Sequence, residues 1–492
     1  MKKALIIVLV LLVILSPVIF IGVSVFAIPS QHRNSYVGYL NNKVNRLYGT
    51  EGEKIVVIGG SSVAFALDSE LMQKELGKPV VNFGLYAALG TKLMLDLSRD
   101  AIKAGDVVIL SPELDPQTLS LYFSTENTLN AVDDDLSLLL DIPSEHWLSL
   151  IGGSWRFAAE KLNYYINGEP VPGDIYNSAS FNEYGDIKSG LRENNTMNGY
   201  YDRNKIVDLT PDIVDLEFID YINEYVAYCE SVGAKVYFNW CPINKASLSK
   251  DTDTDKLDAF SDYMKSVLDC EFLESSLSDM YYGPIIDRAY FYDSNFHLND
   301  AGVIYYTVNL IDSIYKTFGI TDEDDSRKYC DVEIPEPPEL PAFNIAYPDI
   351  DENEKYFTYE IDNTGAVITG LTEEGKKQKV LTLPVGAGGF LVSSIEAEAF
   401  SGSDALTLVI PEASKCQTIG NGAFNGSKIV RLYIYQKYES VNEQGDTVVT
   451  LINPPAHFSS GFKIYVPDVD VYKNGYEWRN VQNLDTLLYE ID

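Results

Sequence analysis

The chain has 492 residues, with 37 Lys and Arg against 72 Asp and Glu, so its formal charge is −35. At roughly 100–200 residues per domain the length allows two to four domains, and 46% hydrophobic with 22% charged residues excludes wholesale disorder. So acidic a chain offers no positive field for phosphates, which excludes nucleic acid as a partner and disfavours anionic lipid headgroups. The five cysteines, at 229, 241, 270, 330 and 416, lack C-x-x-C spacing, which argues against a zinc ribbon or a disulfide framework.

Met1-Lys2-Lys3 precedes a stretch from Ala4 to Gln31 that carries no formal charge. As a helix it would run about 42 Å, against roughly 30 Å of bilayer hydrocarbon. The apolar region of a cleaved signal peptide is only ~7–15 residues long. The segment therefore predicts an uncleaved transmembrane signal anchor over 1–30, although Val25-x-Ala27 has the form of a weak cleavage site. Lys2 and Lys3 belong on the cytoplasmic side, which makes the protein single-pass in the cell membrane with its body extracellular.

Residues 54–110 alternate strand and helix signals. KIVVIGG is an apolar run closed by glycines, SELMQKELG reads as a helix ended by Gly77, and PVVNFGL is the next strand. GTKLMLDLSRDAIKAG then reads as a helix and DVVILSPE as the third strand, a βαβαβ pattern and hence a parallel sheet. The signal returns at 211–240 with a helix and the strand KVYFNW, then helices near 254–268 and over 300–317. The sequence predicts a flavodoxin-like parallel α/β sheet sandwiched by helices over 31–320, with an insertion at about 115–205 that shapes access to a site. Acid runs such as Asp133-Asp134-Asp135 lack the spacing of a calcium loop and read as solvated loops. Residues 321–354 are acidic with repeated prolines and read as an extended linker.

From 355 the texture changes. SSIEAEAFSGSDALTLVIP (393–411) and QTIGNGAFNGSKIVRLYIY (417–435) align at a constant offset of 24, pairing Ile395 with Ile419, Phe400 with Phe424, Gly402 with Gly426 and Leu408 with Leu432. That period lies in the roughly 20–29 residue range of stacked one-strand repeats. The pattern resembles the surface-protein type of leucine-rich repeat, with FTYEIDNTGAVITGLTEEGKKQKVLTLP before it and FKIYVPDVDVYKNGYEWRNV after it resembling that family's flanks. The resemblance implies a small leucine-rich repeat β-solenoid over 355–492 and a role in adhesion or protein contact at bacterial surfaces.

Two elements carry possible chemistry. The first strand ends in Ile58-Gly59-Gly60-Ser61-Ser62-Val63, a tight turn at the carboxyl edge of a parallel sheet, where such sheets place ligands. A serine there presents a hydroxyl at the rim, with backbone N–H groups around it. Before the last helix stands Phe291-Tyr292-Asp293-Ser294-Asn295-Phe296-His297-Leu298-Asn299-Asp300, in which His297 has an acid nearby and Asn299 or Asp300 suits a helix cap. Trp240-Cys241-Pro242 ends a strand near the rim, and Cys241 reads as a buried structural thiol.

Together these residues resemble the SGNH (GDSL-type) hydrolase superfamily over residues 54–318. The resemblance implies Ser61 as nucleophile, with Ser62 the alternative, His297 as base, Asp293 as the acid that orients it, and the N–H groups of Ser61 and Gly84 (in Asn82-Phe83-Gly84) as the oxyanion hole. Two departures stand out. Ser111-Pro112-Glu113 replaces the family's Gly-x-Asn-Asp block, so the oxyanion asparagine is missing and Glu113 joins the candidate residues; Asp293 lies four residues before the histidine rather than three, leaving either a triad or a Ser–His dyad. An anchored domain with Pro-Glu at this place is similar to the acyl-transfer branch, which works beside a multi-spanning O-acyltransferase. The expectation is a cell-surface serine esterase or O-acyltransferase acting on acyl groups of a carbohydrate, exopolysaccharide or cell-wall polymer, without metal or cofactor. The alternative is a non-catalytic adhesion protein that binds through its repeats on a degenerate α/β platform.

Overall fold

The structure is a computed structural model that describes residues 15–168, 175–197, 200–202, 204–249, 251–279, 283–318, 330–340, 345, 347, 349–362, 364–436, 439–441, 447–449, 451–475, 478 and 481–491. The chain divides into two compact units, one of residues 1–196 with 207–340, the other of 197–206 with 341–492.

The first unit is built on a parallel sheet of β1 (Ile55–Gly59), β2 (Val80–Gly84), β3 (Val107–Leu110), β4 (Lys235–Phe238) and a short edge strand, Glu271–Phe272. Their order is β2-β1-β3-β4-edge, the 2-1-3-4-5 order of a doubly wound sheet whose switch point lies between β1 and β3. Every residue of β1, β2 and β3 is buried, as parallel strands covered on both faces must be, and their Val and Ile content suits the pleat. Helices Leu40–Gly49, Thr91–Ser98 and Leu216–Ser231 pack together in one layer, and Ser69–Leu76 with Asp300–Thr317 in the other.

Caps decide where the helices stop. Asp68 accepts the Leu71 N–H to start the helix Ser69–Leu76, and Gly77 ends it at φ 67°. The helix predicted from DIVDLEFIDYINEYVAYCESVGA (212–234) begins only at Leu216, because Asp215 takes the Glu217 N–H and Pro211–Ile213 forms a separate turn. The helix predicted from GTKLMLDLSRDAIKAG is shorter too, closing into a tighter turn over Arg99–Ala101. Asn299 caps the last helix by accepting the Gly302 N–H at 2.9 Å.

Three expectations are modified. Residues 15–26 are helical, but among the described residues no helix is long and apolar enough to cross a membrane; residues 1–14 of the expected anchor lie outside the described residues. Asp133 is not solvated. It is buried against Lys161 and accepts the N–H groups of Gln31 and His32. Of the expected linker 321–354, residues 321–329, 341–344, 346 and 348 lie outside the described residues, and Cys330 within it is buried.

In the second unit, Val380–Thr382, Thr407–Ile410, Arg431–Ile434, Lys463–Val466 and Leu488–Glu490 form a parallel sheet in chain order. The offset of 24 is its register, with Leu408 opposite Leu432 and Ile410 opposite Ile434. A second parallel pairing, Ser394 with Thr418 and Ile395 with Ile419, has the same offset, and the rings of Phe400 and Phe424 stack at 5.4 Å. Leu381, Leu408, Leu432, Ile464 and Leu488 succeed one another rung by rung in the core. On the opposite face Tyr433 stacks on Tyr465 at 4.3 Å, and Tyr489 lies beside Tyr465 at 5.4 Å, tilted by 31°.

Leu408 touches both neighbouring rungs of this ladder and is fully buried. Leu408→Ala is expected to destabilise the second unit by about 2–5 kcal/mol, measured by denaturant unfolding.

Candidate functional site

After β1 the chain passes Gly60 and enters a six-residue helix, Ser61–Ala66, with Ser61 its first residue. The helix lies very close to the strand ends. A Cβ on Gly59 would stand 2.5 Å from Val63 Cγ2, and one on Gly84 only 2.4 Å from Val63 Cβ. No side chain fits at either strand end, which is why both are glycine. Asn82 ties β2 to the helix by donating to the Val63 carbonyl at 3.1 Å.

The two serines face different ways. The Ser62 hydroxyl is buried and has no hydrogen-bond partner among the described residues, whereas the Ser61 hydroxyl donates to Glu113 Oε1 at 2.8 Å. The same oxygen accepts the Ser62 N–H at 2.9 Å. Glu113 follows β3, so this pair of bonds spans the switch point of the sheet. A Cβ on Gly60 would lie 3.0 Å from that carboxylate oxygen, so the glycine permits its approach.

His297 starts the second strand of a small antiparallel pair, Phe291–Ser294 with His297–Leu298, in which Ser294 faces His297. This tight turn brings Asp293 back, and its Oδ1 lies 2.7 Å from His297 Nδ1. The Tyr176 hydroxyl donates to Asp293 Oδ2 at 2.6 Å and stands 3.3 Å from Nδ1. With Nδ1–H directed at Asp293, Nε2 keeps its lone pair, and it has no hydrogen-bond partner among the described residues. The imidazole stacks on Phe65 at 4.1 Å and 9°, and Phe65 is one helical turn from Ser61. No hydrogen bond joins Ser61 to His297 among the described residues, because the hydroxyl is turned to Glu113.

Tyr36 links the two halves. Its hydroxyl donates to the Leu85 carbonyl at 2.7 Å, and its ring lies against Phe65 and Tyr176. Burial pushes its phenol well above the usual range, and the charges of Glu113 and Asp293 both push it the same way. Both acids therefore act on one buried hydroxyl. Gly84 is already engaged, since its N–H donates to Asn82 Oδ1 at 3.1 Å; the Ser61 N–H has no acceptor among the described residues. Cys241 is fully buried and its thiol is pushed well above the usual range, by burial first and by Glu113 second, so it stays a thiol. Among the described residues no group of three or more His, Cys, Asp or Glu is placed to hold a metal ion.

The insertion supplies what the sequence did not reveal. Besides Tyr176 it contributes Arg192, which donates to the Phe65 carbonyl at 2.8 Å and stands 5.6 Å from the Phe65 ring centroid. It also contributes Asp186, which accepts from Ser69 N, Ser69 Oγ and Asn82 Nδ2, each at 2.8 Å. Buried Lys43 completes this network by donating to Asn82 Oδ1 and Asn82 O, both at 3.1 Å, and to Gly185 O. No local motif marks these residues. Asp186 and Arg192 find partners more than a hundred positions away.

Compared with known protein families and with curated proteins, the chain matches none.

Burial lowers the Lys43 amine to about 7; Asp186 opposes the shift and Arg46 adds to it. Between about 7 and the usual 10.5 the folded chain binds fewer protons at this group than the unfolded chain. Its contribution to stability therefore rises with pH across that window. Lys43→Met is expected to remove this rise, so denaturant unfolding from pH 7 to 10 shows the variant losing ground to the wild type as pH increases.

Proposed function

We propose that the protein is a serine esterase or O-acyltransferase similar to the SGNH hydrolases, acting on acyl groups of a carbohydrate or cell-wall polymer at the outer face of the cell membrane. The observation that carries this reading is the Asp293–His297 hydrogen bond, which leaves Nε2 unpartnered on a ring stacked one turn from Ser61. In this reading the Ser61 hydroxyl leaves Glu113, attacks the acyl carbonyl and passes its proton to His297 Nε2. Asp293 holds the tautomer and stabilises the imidazolium, with Tyr176 fixing the carboxylate. The Ser61 N–H meets the oxyanion, and the Gly84 N–H joins it on release from Asn82. The imidazolium then gives that proton to the leaving oxygen, which departs as an alcohol and leaves Ser61 acylated. The neutral imidazole next takes a proton from water or a sugar hydroxyl as it attacks the acyl-enzyme, and returns it to Ser61 Oγ as the acyl group is released.

The 2.8 Å bond from Ser61 to Glu113 favours a second reading of the proton path, in which Glu113 is the acceptor. The uncharged stretch from Ala4 to Gln31 supports the signal anchor and, beside it, a multi-spanning O-acyltransferase as partner. The two parallel pairings at offset 24 support a leucine-rich repeat solenoid in the second unit, and with it the alternative of a surface adhesion protein.

A fluorophosphonate probe is expected to label the purified protein and to miss Ser61→Ala, while Asp293→Asn slows acyl turnover by about 10⁴. Glu113→Gln separates the two proton paths. Retained labelling assigns the proton to His297, and lost labelling assigns it to Glu113. A wild type that stays unlabelled beside a labelled control esterase would falsify the enzymatic reading. Adhesion that survives deletion of 355–492 would sink the alternative.

A further inference from the structure

The helix Trp147–Asn167 has two apolar faces. One enters the core through Leu150, Phe157 and Ala158. The other is a stripe of Leu148, Ile151, Trp155, Ala159, Leu162 and Ile166, three or four residues apart and free of charge. Leu162 is half-buried and four others are open: Leu148 is 84% exposed, Ile151 68%, Trp155 51% and Ile166 68%. The stripe runs about 27 Å along the helix, where a helix facing water carries polar residues. A contiguous apolar surface of this kind marks an interaction site.

The chain's own N-terminal segment says what covers it. Asp133 accepts the N–H groups of Gln31 and His32, and Lys161 of the same helix pairs with Asp133 and donates to the Val25 carbonyl at 3.1 Å. Phe20 then packs on Trp155 of the stripe, with ring centroids 5.0 Å apart. The segment arriving there exposes Leu15, Val18, Ile19 and Val23, and upstream of it residues 4–14 are apolar and uncharged. A segment that enters a bilayer from this point carries the stripe with it to the lipid surface.

We propose that the exposed face of this helix lies in the headgroup–acyl boundary of a lipid bilayer and seats the first unit on the membrane. The proposal rests on the reading of residues 1–30 as a membrane anchor. Trp147, Trp155 and Tyr165 supply the amphipathic rings that favour that depth. The helix's two cations are already used, Arg156 by Glu126 and Glu160 and Lys161 by Asp133. Adsorption is therefore driven by apolar burial, needs no anionic lipid and withstands salt.

The full chain reconstituted in phosphatidylcholine vesicles with brominated acyl chains tests this. Trp240 and Trp478 are buried and stay silent, so quenching reports Trp147 and Trp155. The expected result is loss of the emission share of those two tryptophans, unchanged at high salt, and no loss in W147F/W155F. A second variant, L148E/I151E, alters only exposed positions. It is expected to float with the vesicles and keep its helical circular dichroism while its tryptophans escape quenching. Flotation without quenching of the wild type overturns the seating and leaves the anchor standing. Failure to float overturns both. Protection of the two tryptophans accompanied by cross-linked dimers assigns the face to a second copy and overturns the proposal.

Discussion

The contact on which the site depends is the approach of a six-residue helix to the ends of β1 and β2, closer than any side chain at 59 or 84 would allow. That contact turns Ser62 inward, leaves Ser61 at the rim, and sets Phe65 under the imidazole of His297. So short a helix has little stability of its own, and both of its ends are tied. Glu113 receives the Ser62 N–H at one end, and Arg192 donates to the Phe65 carbonyl at the other. Phe65 meets the imidazole and the Arg192 guanidinium as well, so one ring lies between the insertion and His297.

The order of strands and helices was legible because parallel strands covered on both faces must be apolar runs, and β1 to β4 stand out as such. The repeat was legible for a related reason. When strands stack in parallel at constant register, the sequence offset becomes the pairing offset, and 24 is the separation of Leu408 from Leu432 on adjacent rungs. Element boundaries were less so, since Asp215 decides the start of a helix by one side-chain bond that periodicity does not register. Acid runs misled in the same way. Asp133 looks like its solvated neighbours, yet Lys161 and two backbone N–H groups bury it.

In the site, Ser61 and His297 could be picked out because each sits at a strand or helix end that parallel sheets use for ligands. Asp293 was named beside them, but its reach to the imidazole needed the structure, since four residues of separation suit a carboxylate–imidazole bond only when a tight turn folds them back. Tyr176, Asp186 and Arg192 were invisible because they belong to an insertion whose own sequence has no strong period. Their roles arise entirely from distant partners, Asp293, Ser69 and Phe65.

In the proposed reaction the serine faces a choice between an acid that already holds it and a base that does not. A hydroxyl bonded to a carboxylate gives up about 1.5–3 kcal/mol when it turns away, and that cost would slow a resting enzyme by one to two powers of ten. Glu113 softens it, because the Ser62 N–H stays on the same oxygen and the carboxylate is not left bare. An ionised Glu113 can only accept, so it cannot assist an oxyanion, whereas imidazole can take the proton at Nε2 and return it to the leaving group. Ser61 and His297 are both buried, which in the proposed reaction would keep bulk water from the acyl centre and favour an acceptor that binds beside Ser61 over one that merely diffuses in. In the proposed reading, a carboxylate rather than a donor amide at position 113 would weaken hydrolysis more than transfer, because a bound acceptor would bring its own hydroxyl and displace Ser61 from the acid on arrival.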